Sequence, residues 1–204
     1  HIADAGTEGV KDTLRALIQS NLTPIGPNPI PYYQQIHGQR IAILALNDIT
    51  QPIEAQSIIE HIQQIKSQSD WLILSIHWGI EYQASPTQRQ PDLASKFASA
   101  GADIILGHHP HVLQPVTRIA QTGTNHQTIV AYSLGNALFD QPFLPDTTQS
   151  ACLLVTVDKI DGIAISVFPF TINTTRGIIQ TANPQQANDI LERLHLTSSI
   201  EISP

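Results

Sequence analysis

The chain has 204 residues, of which 41% are hydrophobic and 13% charged, a composition typical of a globular protein with a substantial core. Its net charge of −7 and its lack of Lys- or Arg-rich runs argue against a basic nucleic-acid-binding surface. No stretch approaches the roughly 20 apolar residues of a membrane span. We expect one domain over residues 1–204. Because the chain opens at His1 and contains no Met, we interpret it as amino-terminally incomplete.

The first half of the chain alternates predicted helices and strands. Apolar spacing predicts a helix over residues 7–19, and four prolines favour an extended loop over residues 21–33. A buried strand follows over residues 40–46, and Pro52 opens a second helix with an apolar stripe. This order favours an α/β architecture.

A βαβ unit comes next. Apolar runs over residues 71–76 and 102–106 predict two buried strands, and residues 91–100 between them have helical features, with Gly101 as the cap. Short connections make the two strands parallel. We therefore expect His77 and His108, which follow the strands, to lie at the same edge of the sheet.

The second half predicts mainly antiparallel strands. The segments are strands over 112–119 and 128–134 around a Gly123-centred loop, a hairpin of 151–159 and 163–170 around Asp161-Gly162, and a helix capped by Asn183. Cys152 lies within a strand-like run, so we expect a buried thiol. Two packed sheets with helices outside would accommodate both halves of the chain.

The segment Gly107-His108-His109-Pro110-His111 is the most informative in the sequence. It follows a predicted strand, and we expect Gly107 to permit a sharp turn that leaves three imidazoles on the emerging loop. Ligand chemistry gathers at the carboxyl ends of strands in α/β proteins. Imidazole binds Zn, Fe, Ni and Cu, while carboxylates add Mn and Mg. We therefore predict a metal site; the alternative is a polar loop on which histidines happen to cluster.

Four histidines lie at element ends near this predicted cleft: His1, His77, His108 and His111. Their spacing is not that of a zinc finger and resembles a catalytic site assembled by the fold. Such sites can hold two metals that activate water and bind phosphoryl oxygens. A side chain beside His108 on an extended turn usually points away from it, so His109 is the weaker candidate ligand.

Carboxylates and an amide complete the candidate set. Glu81 lies four residues beyond His77 and either accepts a hydrogen bond from a ligand imidazole or is a solvated loop carboxylate. Asp4 either shares a helix face with His1 or interacts with a helix dipole. Asn136 follows a strand and a Gly turn, where its amide either reaches the cleft or satisfies the turn backbone.

Taken together, these segments resemble the CapA-like capsule-synthesis family, whose members adopt a calcineurin-like metallophosphatase fold. The matching stretches are residues 75–82, 101–114 and 132–140, and the opening His1-Ile2-Ala3-Asp4-Ala5-Gly6 looks like the family's Asn-His-x-x-Asp-x-Gly segment without its Asn. The resemblance implies an α/β, two-sheet α-β-β-α sandwich. It also implies that this chain lacks the amino-terminal strand and helix, together with the acidic ligands they carry.

The resemblance assigns roles as well. His77, His108 and His111 would be ligands of divalent metal ions, two in the complete protein. His1, with Asp4 nearby, would be catalytic and face the substrate phosphate as general acid. Glu81, His109 and Asn136 would line the cleft. General metallophosphatases end in Gly-His-x-His, whereas His108 and His111 are three residues apart here, so which imidazoles bind stays open.

For function, the family's association is with making or exporting poly-gamma-glutamate capsules at the cell envelope. We expect a CapA-like protein working with envelope polymer-synthesis machinery on a phosphate ester or an anionic polymer, on the extracytoplasmic side of the membrane, with a cytoplasmic location left open. The alternative is a general metal-dependent phosphoesterase that hydrolyses its substrate with metal-activated water. A third interpretation is a structural fragment with incidental histidines. Whether the chain is an enzyme stays open at this point.

Overall fold

The computed structural model describes residues 4–26, 29–121, 126–141, 143–159 and 162–196. The helices are α1 (Gly6–Gln19), α2 (Ala55–Lys66), α3 (Arg89–Ala100) and α4 (Pro184–Arg193), with a short 3-10 helix at Pro145–Thr148. The strands are β1 (Tyr32–Ile36), β2 (Gln39–Asn47), β3 (Trp71–His77), β4 (Ile104–His108), β5 (Leu113–Ala120), β6 (Gln127–Leu134), β7 (Gln149–Asp158), β8 (Gly162–Asn173) and β9 (Ile178–Thr181).

The strands form two sheets. The larger has the order β1-β2-β3-β4-β6-β5, with β2, β3, β4 and β6 parallel and the two edge strands antiparallel to their neighbours. The smaller is the antiparallel sheet β7-β8-β9. The predicted βαβ unit is confirmed, since β3 and β4 are parallel neighbours joined by α3.

The first core lies between the large sheet and the helices α2 and α3. Alternate residues of β2 point toward these helices, and Ala42 and Leu44 are fully buried there. Ile62 and Ile65 of α2 and Phe97 of α3 fill the space opposite them. The helical spacing read from the sequence therefore corresponds to real packing for α2 and α3.

The second core joins the two sheets. It contains Leu113 and Ile129 from β5 and β6, Val167 from β8, and Ile190 and Leu194 at the end of α4. Asn183 caps α4 in a reciprocal capping box with Gln186. The predicted two-sheet α/β sandwich is confirmed. Among the described helices, none combines the length and apolarity needed to cross a membrane.

Two expectations differ from the structure. Cys152 is exposed rather than buried, because the small sheet has one solvated face and every second residue of β7 after Ala151 points to it. The predicted loop over residues 21–33 ends earlier than expected, since Tyr32 and Tyr33 begin β1. Strand β9 was not predicted, and all four of its residues are exposed.

Candidate metal centre

The carboxyl ends of β3 and β4 bring two of the predicted histidines side by side. His77 and His108 are the last residues of these strands and are direct register partners. A separation of 31 positions in the sequence thus becomes adjacency in space, as predicted. Backbone hydrogen bonds continue beyond the pair, since the Trp78 N–H donates to the His108 carbonyl at 3.0 Å.

Gly107 has a different role from the one predicted. It lies inside β4 and not at a turn, and the turn begins only after His108. A Cβ atom at this position would lie 1.9 Å from the Tyr132 carbonyl oxygen and 2.4 Å from Trp78 Nε1. The Trp78 indole donates to that same carbonyl at 3.0 Å and is fully buried. Glycine is therefore required here by close packing and not by backbone conformation.

The loops that follow β3 and β4 have unusual backbone conformations. His109, His111 and Tyr82 have positive φ angles of 102°, 61° and 63°. Non-glycine residues seldom adopt this region, and such strain gathers at functional sites. The Tyr82 N–H donates to the Pro110 carbonyl at 2.8 Å and so ties the two loops together.

These loops assemble a group of potential metal ligands. One ligand atom each from Glu81, His109 and His111 lies within 4.8 Å of the other two, and all three residues are half-buried. One carboxylate and two imidazoles form a mixed donor set that suits Zn, Fe, Mn or Ni. The chemistry of these residues therefore fits the divalent ion that the fold implies.

His111 is held from several sides. Its Nδ1 lies 2.8 Å from Asn136 Oδ1, and its ring stacks on Phe139 at 5.4 Å and on Tyr82 at 6.0 Å between ring centroids. Phe143 contacts the Tyr82 ring edge-on at 5.5 Å. Such packing restricts the imidazole to one orientation.

His77 and His109 are kept in their neutral forms. Their rings are 4.6 Å apart. Burial lowers the pKa of His77 to about 4, and the neighbouring imidazoles, His109 first among them, act in the same direction. Burial also lowers the pKa of His109, although the Glu81 carboxylate opposes this shift. Neutral imidazole is the form that binds metal.

A buried amide network supports the loop that carries Glu81. The Gln114 amide donates to the Gln83 carbonyl at 2.8 Å and accepts from Gln90 at 2.9 Å. Gln90 in turn accepts from the Thr87 N–H at 2.8 Å. Both Gln90 and Gln114 are buried. This network fastens the loop to α3 and β5.

The predicted site residues are thus brought together only in part. Glu81, His109 and His111 converge, and His77 contacts His109. Among the described residues the converging group does not include His77 or His108, and the His108 side chain is exposed. His1 lies outside the described residues, and Asp4 lies in an exposed turn before α1.

Two residues of this centre were not singled out from the sequence. Tyr82 stacks on His111, and Gln141 donates to the Tyr82 hydroxyl at 3.2 Å. Tyr82 belongs to the motif around His77, so its place next to Glu81 was a usable signal. Gln141 directly follows the stretch 132–140 but lies outside it, and only the folded chain reveals its contact with Tyr82.

The fold is similar to that of solved structures. A candidate 5′-nucleotidase from Staphylococcus aureus, in complex with alpha-ketoglutarate, matches 93% of this chain and 39% of its own, with a TM-score of 0.53 and 15% identity. A hypothetical protein from Thermus thermophilus matches 78% of this chain and 71% of its own, with a TM-score of 0.54 and 12% identity. At these identities the likeness concerns the fold alone, which is the metallophosphatase-like sandwich expected from the sequence.

Sequence relatives identify the family. The PGA biosynthesis protein CapA of Bacillus subtilis (strain 168) is 35% identical over 161 residues, covering 69% of this chain and 41% of the relative. The capsule biosynthesis protein CapA of Bacillus anthracis is 31% identical over 217 residues, covering 95% of this chain and 49% of the relative. The chain thus spans less than half the length of either. The model of the bacterial capsule synthesis protein family PGA_cap matches residues 1–141, and the chain belongs to this family.

Proposed function

We propose that the chain contributes to capsule polymer synthesis or export at the cell envelope through a divalent-metal centre formed by Glu81, His109 and His111. The observation that carries this proposal is the convergence of their ligand atoms within 4.8 Å. The capsule-related names of its Bacillus relatives support the biological setting. We propose the extracytoplasmic side of the membrane as its location.

The residues of the centre have separable roles. Glu81 supplies negative charge, and the imidazoles of His109 and His111 supply neutral nitrogen donors. A divalent ion held there would act as a Lewis acid and lower the pKa of a bound water. The exposed Phe139 and Phe143 form an apolar margin, with Phe139 against His111 and Phe143 against Tyr82.

A second ion remains part of the proposal. The ring of His77 contacts the ring of His109, and His108 is the register partner of His77. We propose these two imidazoles as ligands of that ion, as the sequence predicted. His1 remains the proposed general acid.

Metal content provides the first test. We expect the purified chain, dialysed against Zn²⁺ or Mn²⁺ and analysed by elemental analysis, to retain bound ion. His111→Ala should lower the affinity by about 100-fold or more because a direct ligand is lost, whereas His108→Ala should lower only the stoichiometry. The matched control is His37→Asn, which changes an exposed turn histidine at φ 47° and should leave metal binding unchanged. Equal retention by wild type and His111→Ala would contradict the proposed ligand set.

Hydrolysis of a phosphate ester is the second candidate function. It is favoured by the fold shared with the candidate 5′-nucleotidase. The metal-loaded chain is tested with a chromogenic phosphodiester and, in parallel, for binding of poly-gamma-glutamate fragments by calorimetry. Metal-dependent turnover would establish the phosphoesterase, and metal-dependent polymer binding without turnover would support an accessory role in assembly. The absence of both turnover and polymer binding in a metal-loaded chain would contradict both functions.

A further inference from the structure

We propose that Asn136 is a positioning residue that fixes the tautomer of His111, and that a chain of side chains extends this control to Glu81. The proposal deepens the metal centre described above and rests on it for its functional meaning. Asn136 is 7% exposed and lies after β6, on a different segment from either ligand that it influences.

The orientation of the Asn136 amide is decided by its surroundings. Its Nδ2 lies 3.1 Å from the Thr147 carbonyl oxygen. A carbonyl can only accept, so the NH₂ group must face Thr147 and Oδ1 must face His111. The 2.8 Å contact with His111 Nδ1 then requires the proton to be on Nδ1. That tautomer leaves Nε2 as the nitrogen whose lone pair can bind a metal.

The same amide begins a chain that ends at Glu81. Asn136 Nδ2 also donates to Gln141 Oε1 at 3.4 Å. Gln141 Nε2 donates to the Tyr82 hydroxyl at 3.2 Å. Burial raises the pKa of Tyr82, and the Glu81 carboxylate raises it further through its charge and a side-chain hydrogen bond. Because a carboxylate only accepts, the Tyr82 hydroxyl must be the donor to Glu81.

Every donor in this series therefore points the same way, from His111 through Asn136, Gln141 and Tyr82 to Glu81. Hydrogen bonds in such a series polarise one another. An acceptor on Nδ1 makes the opposite imidazole nitrogen a better ligand, and a donor on Glu81 orients its carboxylate. Two ligands separated by 30 positions are thus oriented by one connected set of side chains.

Two substitutions separate positioning from simple support. Asn136→Leu removes both the acceptor for His111 and the donor to Thr147. Asn136→Asp keeps an acceptor for His111 but removes the donor to Thr147, so it should lower stability while preserving the tautomer. Ser150→Ala is the matched control, because it removes a buried hydrogen bond to the neighbouring Leu134 carbonyl without contacting His111.

The tautomer is read from long-range ¹H–¹⁵N NMR spectra of the metal-free chain, with His111→Gln to assign the signals. Zn²⁺ affinity is measured by calorimetry. We expect the Nδ1–H form of His111 in wild type, Asn136→Asp and Ser150→Ala. Asn136→Leu should shift His111 toward a tautomer mixture and lose about 10- to 100-fold in Zn²⁺ affinity, and Gln141→Leu should lose less.

An unchanged His111 tautomer in Asn136→Leu would overturn the proposal. So would equal losses of affinity in Asn136→Asp and Asn136→Leu, because affinity would then follow stability and not the acceptor. If wild type binds no Zn²⁺, the proposed metal centre fails, but the tautomer measurement still decides whether Asn136 controls His111. The two failures are therefore distinguishable.

Discussion

The two ends of strands β3 and β4 carry polar groups of opposite character. At the amino end, Lys66 donates to the Asp103 carboxylate and to the Asp70 carbonyl, both at 2.6 Å, and Asp103 also accepts from the Leu72 N–H at 2.7 Å. At the carboxyl end, potential metal-ligand atoms of Glu81, His109 and His111 converge instead. The first arrangement neutralises its own charges, whereas the second brings together atoms that can coordinate a cation.

A pocket by itself does not identify a functional site. A pocket of about 360 Å³ lies at the amino end and is lined by Lys66, Asp70, Asp103 and Lys159 among others. Its two lysines already pair with aspartates, Lys66 with Asp103 and Lys159 with Asp70. These charge pairs favour a structural role for the pocket, and the proposed metal centre lies at the other end, where φ angles are positive and the ligand atoms converge.

The largest effect is expected from filling the close contact behind the metal centre. Gly107→Ala would place a Cβ 1.9 Å from the Tyr132 carbonyl, so β4 and β6 must separate, at a cost of more than about 3 kcal/mol. Urea denaturation measures this change. The control Gly177→Ala, at φ 60° with no atom within 4 Å of the new Cβ, should cost about 1 kcal/mol of backbone strain. Equal losses in the free energy of unfolding of the two variants would show that the structure around Gly107 can move to admit the new Cβ.

The second-largest effect is expected at the amino end of β3 and β4. Asp103→Ala leaves Lys66 and the Leu72 N–H without their acceptor and should lower the free energy of unfolding by about 3 kcal/mol. Zn²⁺ affinity should be unchanged, because no ligand is touched. The control is Lys159→Ala, which breaks the more exposed pair with Asp70 and should leave the urea midpoint unchanged. A loss of Zn²⁺ binding in Asp103→Ala would show that the two ends of the strands do not act independently.

The smallest effect concerns pH. The pKa of His77 is about 4 in the folded chain against about 6.5 when unfolded, so the unfolded state takes up the proton first as pH falls. The neutral His77 should therefore contribute fully to the free energy of unfolding of the metal-free chain above about pH 6.5. This contribution should be lost progressively between about pH 6.5 and 4. The measurement is the urea midpoint across this range, where His77→Gln should show a shallower decline. Parallel curves for the two proteins would contradict the burial of a neutral His77.

Local patterns predicted most of the elements. Alternation and apolar runs located β2, β3 and β4, and Asn183 as a cap before Pro184 located the start of α4. The apolar stripe of α1 was also read correctly as a helix, yet none of its residues is buried. The spacing of apolar residues predicts that a helix has an apolar face, but it cannot say whether another element covers that face.

The sequence by itself determined the α/β class, the family and the edge of the sheet at which the candidate ligands lie. Short connections make β3 and β4 parallel, so His77 and His108, which end these strands, lie at the same edge of the sheet. The tertiary structure decided which side chains converge. The sequence made His109 the weaker candidate ligand, but in the folded chain its ligand atom lies near those of Glu81 and His111, on a backbone with a φ of 102°. Such backbone conformations, and the amide of Asn136 reaching back from β6, depend on contacts between distant segments, and no local pattern encodes them.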